Sequence, residues 1–188
     1  MRADVRRVQR PLDDLPPVHL EAEIPTATAA QWTLTVDGCV DVPQVLSIDT
    51  LFALGVDDVV QDFHCVWGWS RPDCVWTGVP GSAVAEAAGL REDFVVVSAA
   101  GGVYASALTI DEFRTGFFAT HLDGNELAPE SGGPLRFVQP PGKWAYKGVK
   151  WVVRVTGTPH FTPGFWETVV GNPVGDIPAE RVDLTHER

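Results

Sequence analysis

Asp62-Phe63-His64-Cys65-Val66-Trp67-Gly68-Trp69-Ser70 follows the apolar pair Val59-Val60 and gathers one cysteine, one histidine and two tryptophans. Val59 to Val66 reads as a strand that delivers Cys65 to its end, and Val75-Trp76-Thr77-Gly78-Val79 follows shortly after. Cysteine is chemically potent as its thiolate, and soft thiolates suit redox-active metals. Taken locally, a buried cysteine acting as a small hydrophobe is the simpler reading, because one cysteine makes no zinc site. Alternation along the strand puts His64 on the face opposite Cys65, which favours a core or surface histidine over a second metal ligand. Trp67, Trp69 and Trp76 could wall a pocket, but ordinary aromatic packing also accounts for them.

Outward from this stretch, short strands alternate with short helices. Met1 to Ala30 is rich in Pro, Asp and Glu and reads as an extended arm; residues 31–188 read as one domain. Gln31 to Val36 alternates polar and apolar as a half-buried strand does, and Asp37-Gly38 turns it into a return strand starting at Cys39-Val40. Ser47 to Leu54, Ser82 to Gly89 and Ile110 to Gly116 carry helix signals: a cap-like Ser47 or Asp49, a closing Gly89, and Asp111-Glu112 in a first turn. Phe94 to Ser98 should pair with Tyr104 to Leu108, and Phe117 to His121, Leu135 to Gln139 and Val149 to Val155 read as further strands. The Pro- and Gly-rich tail from Pro159 is expected to wrap the domain without adding a layer.

A chain of 188 residues suits one domain with a real core, and 45% hydrophobic residues exclude a disordered chain. The net charge of −11 argues against nucleic acid and anionic membrane as partners, so an anionic ligand would need a local basic exception. Cys39, Cys65 and Cys74 are too few and too scattered for a disulfide framework, and no haem or dinucleotide fingerprint occurs. No apolar run approaches the ~20 residues of a membrane helix, and the N-terminus lacks a signal-peptide core, so a cytoplasmic location is the expectation.

Five motifs in order carry a family resemblance: Trp32-Thr33-Leu34-Thr35-Val36-Asp37-Gly38, the Cys65 to Ser70 run with Trp76-Thr77-Gly78-Val79, Leu122-Asp123-Gly124-Asn125-Glu126-Leu127 with Gly132-Gly133-Pro134-Leu135-Arg136, Tyr146-Lys147-Gly148-Val149-Lys150-Trp151-Val152, and Gly164-Phe165-Trp166-Glu167. The chain resembles the molybdopterin-binding domain of the sulfite oxidase family, which includes the methionine sulfoxide reductase catalytic subunit. The resemblance implies a β-rich mixed α+β fold holding a molybdenum-molybdopterin cofactor, with Cys65 as the catalytic thiolate ligand of the metal. It implies that Arg136 and Lys150 hold the pterin and its phosphate, that Gly148 and Val149 contribute backbone groups, and that Ser131 hydrogen-bonds near the pterin. Lys147 and Lys150, three apart on a strand, would face opposite ways, and Lys143 reads as a loop lysine free to be solvated. The arm offers only threonines from Ile24 to Ala30, with His19 further upstream, and no aspartate precedes Tyr104 in Ala100-Gly101-Gly102-Val103.

The reading that follows is an oxygen-atom-transferring oxidoreductase acting on a small sulfite- or sulfoxide-like substrate. With no second redox centre in its sequence, it needs an external electron-transfer partner or carrier, either a basic one suited to the net charge of −11 or one that meets a local basic patch of Lys143, Lys147 and Lys150. A catalytically inactive pterin-binding or interaction module of the same fold is the alternative, and metal analysis separates the two.

Overall fold

The chain builds two sheets that share one wall of core. A computed structural model describes residues 9–178 and residue 181. The start of the expected arm and the end of the tail lie outside the described residues. In chain order the strands and helices are β1 (Arg10–Pro11), β2 (Thr33–Gly38), β3 (Gln44–Ser47), α1 (Ile48–Phe52), β4 (Asp57–Cys65), β5 (Trp69–Pro80) and α2 (Gly81–Ala88). They continue with β6 (Phe94–Ala99), β7 (Ala105–Thr109), α3 (Ile110–Thr115), β8 (Phe117–Leu122), β9 (Asn125–Glu126), β10 (Arg136–Val138), β11 (Val152–Thr158) and α4 (Phe165–Val170). The fold is β-rich α+β, as expected.

One sheet runs β1-β5-β8-β10, with β4 also on β5 and β9 on β8; the other runs β3-β2-β11-β6-β7. In the second sheet β11 lies parallel to β2 and antiparallel to β6, so strands from the two ends of the domain close it side by side. Strand alternation separates two cores on the first sheet. Val79, Phe118 and Phe137 face the main core with Leu34, Leu108 and Phe113. Their neighbours Phe117, Ala119 and Val138 face a second core with Phe63, Cys74 and Trp76.

Helix ends follow the local chemistry. Ser47, not Asp49, caps α1 by accepting from the Thr50 N–H (3.2 Å), and Gly89 ends α2 in the left-handed conformation. Thr109 and Glu112 close α3 with a reciprocal capping box.

Three expectations change, and one strand carries an irregularity. The return strand is Gln44–Ser47 rather than Cys39-Val40, because the Cys39 N–H donates to Gly157 and the Val42 N–H to Ala88. The long strand β5 runs through Pro72, which sits with Asp73 opposite Asp62 where the β4–β5 pairing slips; a proline is tolerated at such a bulge. The last strand begins at Val152, three residues late, because Trp151 adopts a left-handed backbone (φ 51°) and Val149 pairs with Phe137 instead. The tail does wrap the domain, but it contains the helix α4.

That wrapping is held by one buried pair. Lys147 and Glu167 are 0% and 2% exposed, and the Lys147 ammonium donates to the Glu167 carboxylate, to Ala107 O and to Pro173 O (2.9 Å for the last). Glu167 also accepts from Ser106 Oγ (3.0 Å), the Ala107 N–H (3.0 Å) and the Gly164 N–H (2.5 Å). Removing one partner of such a pair strands the other charge in the core, which costs roughly 3–5 kcal/mol. Glu167→Ala is therefore expected to destabilise the protein by about that amount. A double Lys147→Met/Glu167→Gln variant should recover most of the loss in chemical denaturation. Equal stability of Glu167→Ala and wild type would refute the account.

Candidate active site

Cys65 is the last residue of β4, and the turn to β5 closes when the Gly68 N–H donates to Cys65 O (3.0 Å). Gly68 has φ 90°, a conformation open to glycine because it lacks Cβ. Alternation puts Phe63 and Cys65 on one face and His64 on the other. His64 is buried: Ser70 Oγ donates to Gln9 Oε1 (3.3 Å) and so accepts from His64 Nδ1 (2.6 Å). Burial pushes the His64 pKa down, against the pull of Asp62. This is a satisfied core histidine, as the alternation implied.

The face that carries Cys65 opens on a cavity. The hairpin supplies Phe63, Cys65, Trp67 and Trp69; the residue 99–104 turn supplies Ala99 and Tyr104. Arg136 comes from β10, and Tyr146, Gly148, Lys150 and Trp151 come from the segment before β11. Trp166 reaches in from α4, and the arm covers one side with Leu15, Val18, His19 and Glu21. Burial pushes the Cys65 thiol pKa up, partly opposed by the Trp67 main-chain N–H. A cationic metal beside the sulfur would supply the compensation that this apolar setting lacks.

Two cations face the same cavity. Alternation on β10 sets Arg136 and Val138 opposite Phe137, so the guanidinium leaves the main core and lies over the rings of Phe63 (4.8 Å) and Trp76 (5.5 Å). Arg136 is 4% exposed, donates to Ser131 O (2.8 Å), and its Nε has no partner among the described residues. Burial lowers its pKa to about 10. Lys150 donates to Glu130 O (2.5 Å); burial, and then Arg136, lowers its pKa to about 7 against the opposing pull of Glu130. Among the described residues neither cation forms an ion pair with a carboxylate. Buried cations left unpaired are costly, so an arrangement of this kind is suited to an anion from outside the chain.

The structure thus brings Cys65, Arg136, Gly148 and Lys150 around one cavity. Val149 is 0% exposed in the main core and exchanges main-chain hydrogen bonds with Phe137 (2.8 Å each way), so it does not line the cavity. Ser131 serves Arg136 through its carbonyl and does not line the cavity either. Gly148 comes so close to the Phe137 carbonyl that an added Cβ would sit 2.9 Å from the oxygen. The basic surface patch expected from Lys143, Lys147 and Lys150 does not form. Lys143 is buried and paired with Glu112 and Asp176, Lys147 is spent on Glu167, and Lys150 points to the cavity.

Sequence reading missed the arm's part in the site. His19 packs edge-on to Trp151 (5.4 Å) and bonds Glu21 O (2.9 Å). Glu21 brings a carboxylate to the 100–104 turn, where it accepts from the Tyr104 N–H (3.0 Å) and lies where a Cβ on Gly101 would clash. The Tyr104 hydroxyl donates to Tyr146 O (2.5 Å), and burial pushes its pKa up. A lone histidine in a proline-rich run carries no periodic signal that would have placed it here.

A fold of this kind with this cavity has known counterparts. The family described as "Oxidoreductase molybdopterin binding domain" matches residues 21–166, so the chain belongs to that family and is an oxidoreductase. It is 39% identical over 141 residues to the uncharacterized oxidoreductase YuiH of Bacillus subtilis, covering 73% of this chain and 70% of that protein. It is 26% identical over 168 residues to the protein-methionine-sulfoxide reductase catalytic subunit MsrP of Pseudomonas syringae pv. tomato, covering 77% of this chain and 48% of MsrP. The sulfane dehydrogenase SoxCD of Paracoccus pantotrophus shares the fold, with a TM-score of 0.71 at 19% identity over 79% of this chain and 43% of that one. The chain therefore spans about half the length of MsrP and less than half of the SoxCD chain.

Lys150 gives the cavity a pH signature. Its ammonium attracts an anion only while protonated, so affinity should fall as pH rises through about 7. Cofactor-free protein is expected to bind sulfate, whose charge is constant across this range, roughly tenfold more weakly on the alkaline side. Lys150→Met should bind weakly and without pH dependence. A flat profile for the wild type in calorimetric titration would remove Lys150 from the anion site.

Proposed function

We propose that this chain is a molybdenum-molybdopterin-dependent oxidoreductase that transfers an oxygen atom to or from a small oxo-substrate, with Cys65 as the thiolate ligand of the metal. The observation that carries the reading is the pair Arg136 and Lys150, two half- to fully buried cations without carboxylate partners among the described residues, facing the same cavity as a thiol. The match to a molybdopterin-binding domain supports a molybdopterin as the anionic group that would complete them.

The residues present fit that group. Arg136 offers an unpartnered Nε and a planar fork suited to phosphate or a pterin edge. Lys150 adds a second positive charge, and Gly148, which has no room for a Cβ against the Phe137 carbonyl, lines the cavity beside it. His19 and Glu21 hold the arm across the cavity. The bound cofactor supplies the electron-pair change that accompanies oxygen-atom transfer. The chain's own contribution is to fix the thiol sulfur at the end of a rigid hairpin, to neutralise the anion, and to keep bulk water from the site with Phe63, Trp69 and Tyr104.

Two of the similar proteins are named for redox reactions at sulfur, a sulfoxide reductase and a sulfane dehydrogenase. That supports a sulfur oxo-compound as substrate here. The electron pair is exchanged with an electron-transfer partner or carrier, since the cavity is suited to one redox cofactor. Among the described residues no helix is long and apolar enough to cross a membrane.

The test is production in a host that makes the cofactor, followed by elemental analysis for molybdenum and fluorescence of the oxidised pterin released on denaturation. Wild-type protein is expected to hold both. Cys65→Ser should fold and lose oxygen-atom transfer, because the harder oxygen ligand shifts the metal's properties. Arg136→Ala should lose about ten- to a hundredfold in cofactor affinity, the worth of a charge-assisted hydrogen bond of roughly 1.5–3 kcal/mol. Full turnover by Cys65→Ser, or equal pterin content in Arg136→Ala under limiting cofactor, would each overturn the corresponding assignment.

A further inference from the structure

We infer that Trp67 and Trp166 form an aromatic mouth to this cavity, one that selects a substrate with an apolar organic group beside its reacting atom over a small inorganic oxyanion. The inference rests on the reading of the cavity as the cofactor site.

Trp67 lies two residues past Cys65, lines the cavity, and is 57% exposed. Its ring meets Trp166 edge to face, with centroids 5.5 Å apart and planes at 84°. Phe165, 45% exposed, packs against Trp166 in turn (5.3 Å), and Val18 of the arm, 42% exposed, lines the cavity as well. Scattered exposed apolar side chains need no explanation, but a contiguous group at a cavity rim marks a recognition surface.

Charge points the same way. The cation–ring contacts among the described residues fall on Phe63, Trp76, Phe161 and Trp151, and none falls on the mouth. Among the described residues Arg136 and Lys150 are the Arg and Lys side chains that line the cavity, and the cofactor's anionic groups occupy them on the reading above. Among the described residues an incoming oxyanion would find no further Arg or Lys lining the cavity, and it would approach a chain of net charge −11. An alkyl or aryl group would instead find indole surface.

The mouth is also held in place. Trp166 stands between Gly164 and Glu167, and the Glu167 carboxylate accepts from the Gly164 N–H (2.5 Å) while paired with Lys147. Lys147 in turn adjoins Tyr146, another cavity residue. The indole is therefore presented by a buried anchor rather than by a loose loop, so little ordering is needed when a ligand binds.

Two inert sulfur–oxygen compounds test this on pterin-loaded protein by calorimetric titration: methyl phenyl sulfone, neutral and organic, and sulfate. Wild type is expected to bind the sulfone roughly tenfold or more tightly than sulfate. Trp166→Ala should lose about tenfold for the sulfone with sulfate binding and pterin content unchanged, while Trp166→Phe keeps most of the affinity. Trp67→Ala should act in the same direction, and its exposure makes it independent of core packing. Sulfate binding as tightly as the sulfone, equal losses for both ligands, or loss of pterin from Trp166→Ala at native stability would overturn the inference. Pterin content is measured first. Wild-type protein without pterin from a cofactor-making host sinks the cofactor reading and this inference together. Pterin-loaded protein without sulfone preference sinks this inference alone.

Discussion

A lysine ammonium removed from water survives only beside acceptors that replace its hydration. Lys147 has three, the Glu167 carboxylate and the carbonyls of Ala107 and Pro173, and they come from α4, β7 and the C-terminal strap. One charge thereby ties together segments far apart in sequence. Around it the strap is stitched to the 142–147 turn by further bonds: Trp144 N–H to Gly175 O (2.8 Å), Ile177 N–H to Gly142 O (3.0 Å) and the Tyr146 hydroxyl to Asn172 O (2.7 Å). Tyr146 and Gly148 on one side of the pair and Trp166 on the other all line the cavity, so the shape of the site depends on a contact that never touches it.

Strand alternation does the rest of the positioning. On β4 it separates Cys65 from His64, and on β10 it separates Arg136 from Phe137. Because these strands belong to one sheet, Cys65 and Arg136 arrive on the side of the second core, where Phe63 and Trp76 lie beneath the guanidinium. A one-residue slip in either strand would exchange these partners for their opposites. The two cores are therefore part of the site's construction: the main one fixes the sheets, and the second carries the aromatic floor on which a buried arginine is tolerable.

The arm changes the domain's limits in a functional sense. Residues 9–30 have little regular structure, as their composition implies, yet they are not a detached extension. β1 adds to β5, and Leu15 to Glu21 cover the cavity. The match to the family begins at residue 21, so His19 and Val18 lie outside it while still belonging to the cavity wall.

Read alone, the sequence determined the elements whose signals are local. The strand before Cys65, the short helices that start after Ser47 and at Ile110, the Gly89 stop and the opposition of Cys65 and His64 all follow from period, helix-end and turn chemistry within a few residues. The ordered motifs likewise sufficed to name the family, and they singled out Cys65, Arg136, Gly148 and Lys150, which the fold gathers around one cavity. What they could not determine is where long side chains spend their charge. Lys143, Lys147 and Lys150 look alike in sequence and fall within one stretch of eight residues. Only the fold assigns the first to Glu112 and Asp176, the second to Glu167, and the third to the cavity, because those acceptors come from segments tens of residues away. The bonds of the Ser131 carbonyl to Arg136 and of the Val149 main chain to Phe137 are likewise made only once the sheet has formed. His19, Glu21 and Trp166 reach the site from the two ends of the chain, and pairing across such distances is decided by tertiary packing, to which no local periodicity gives access.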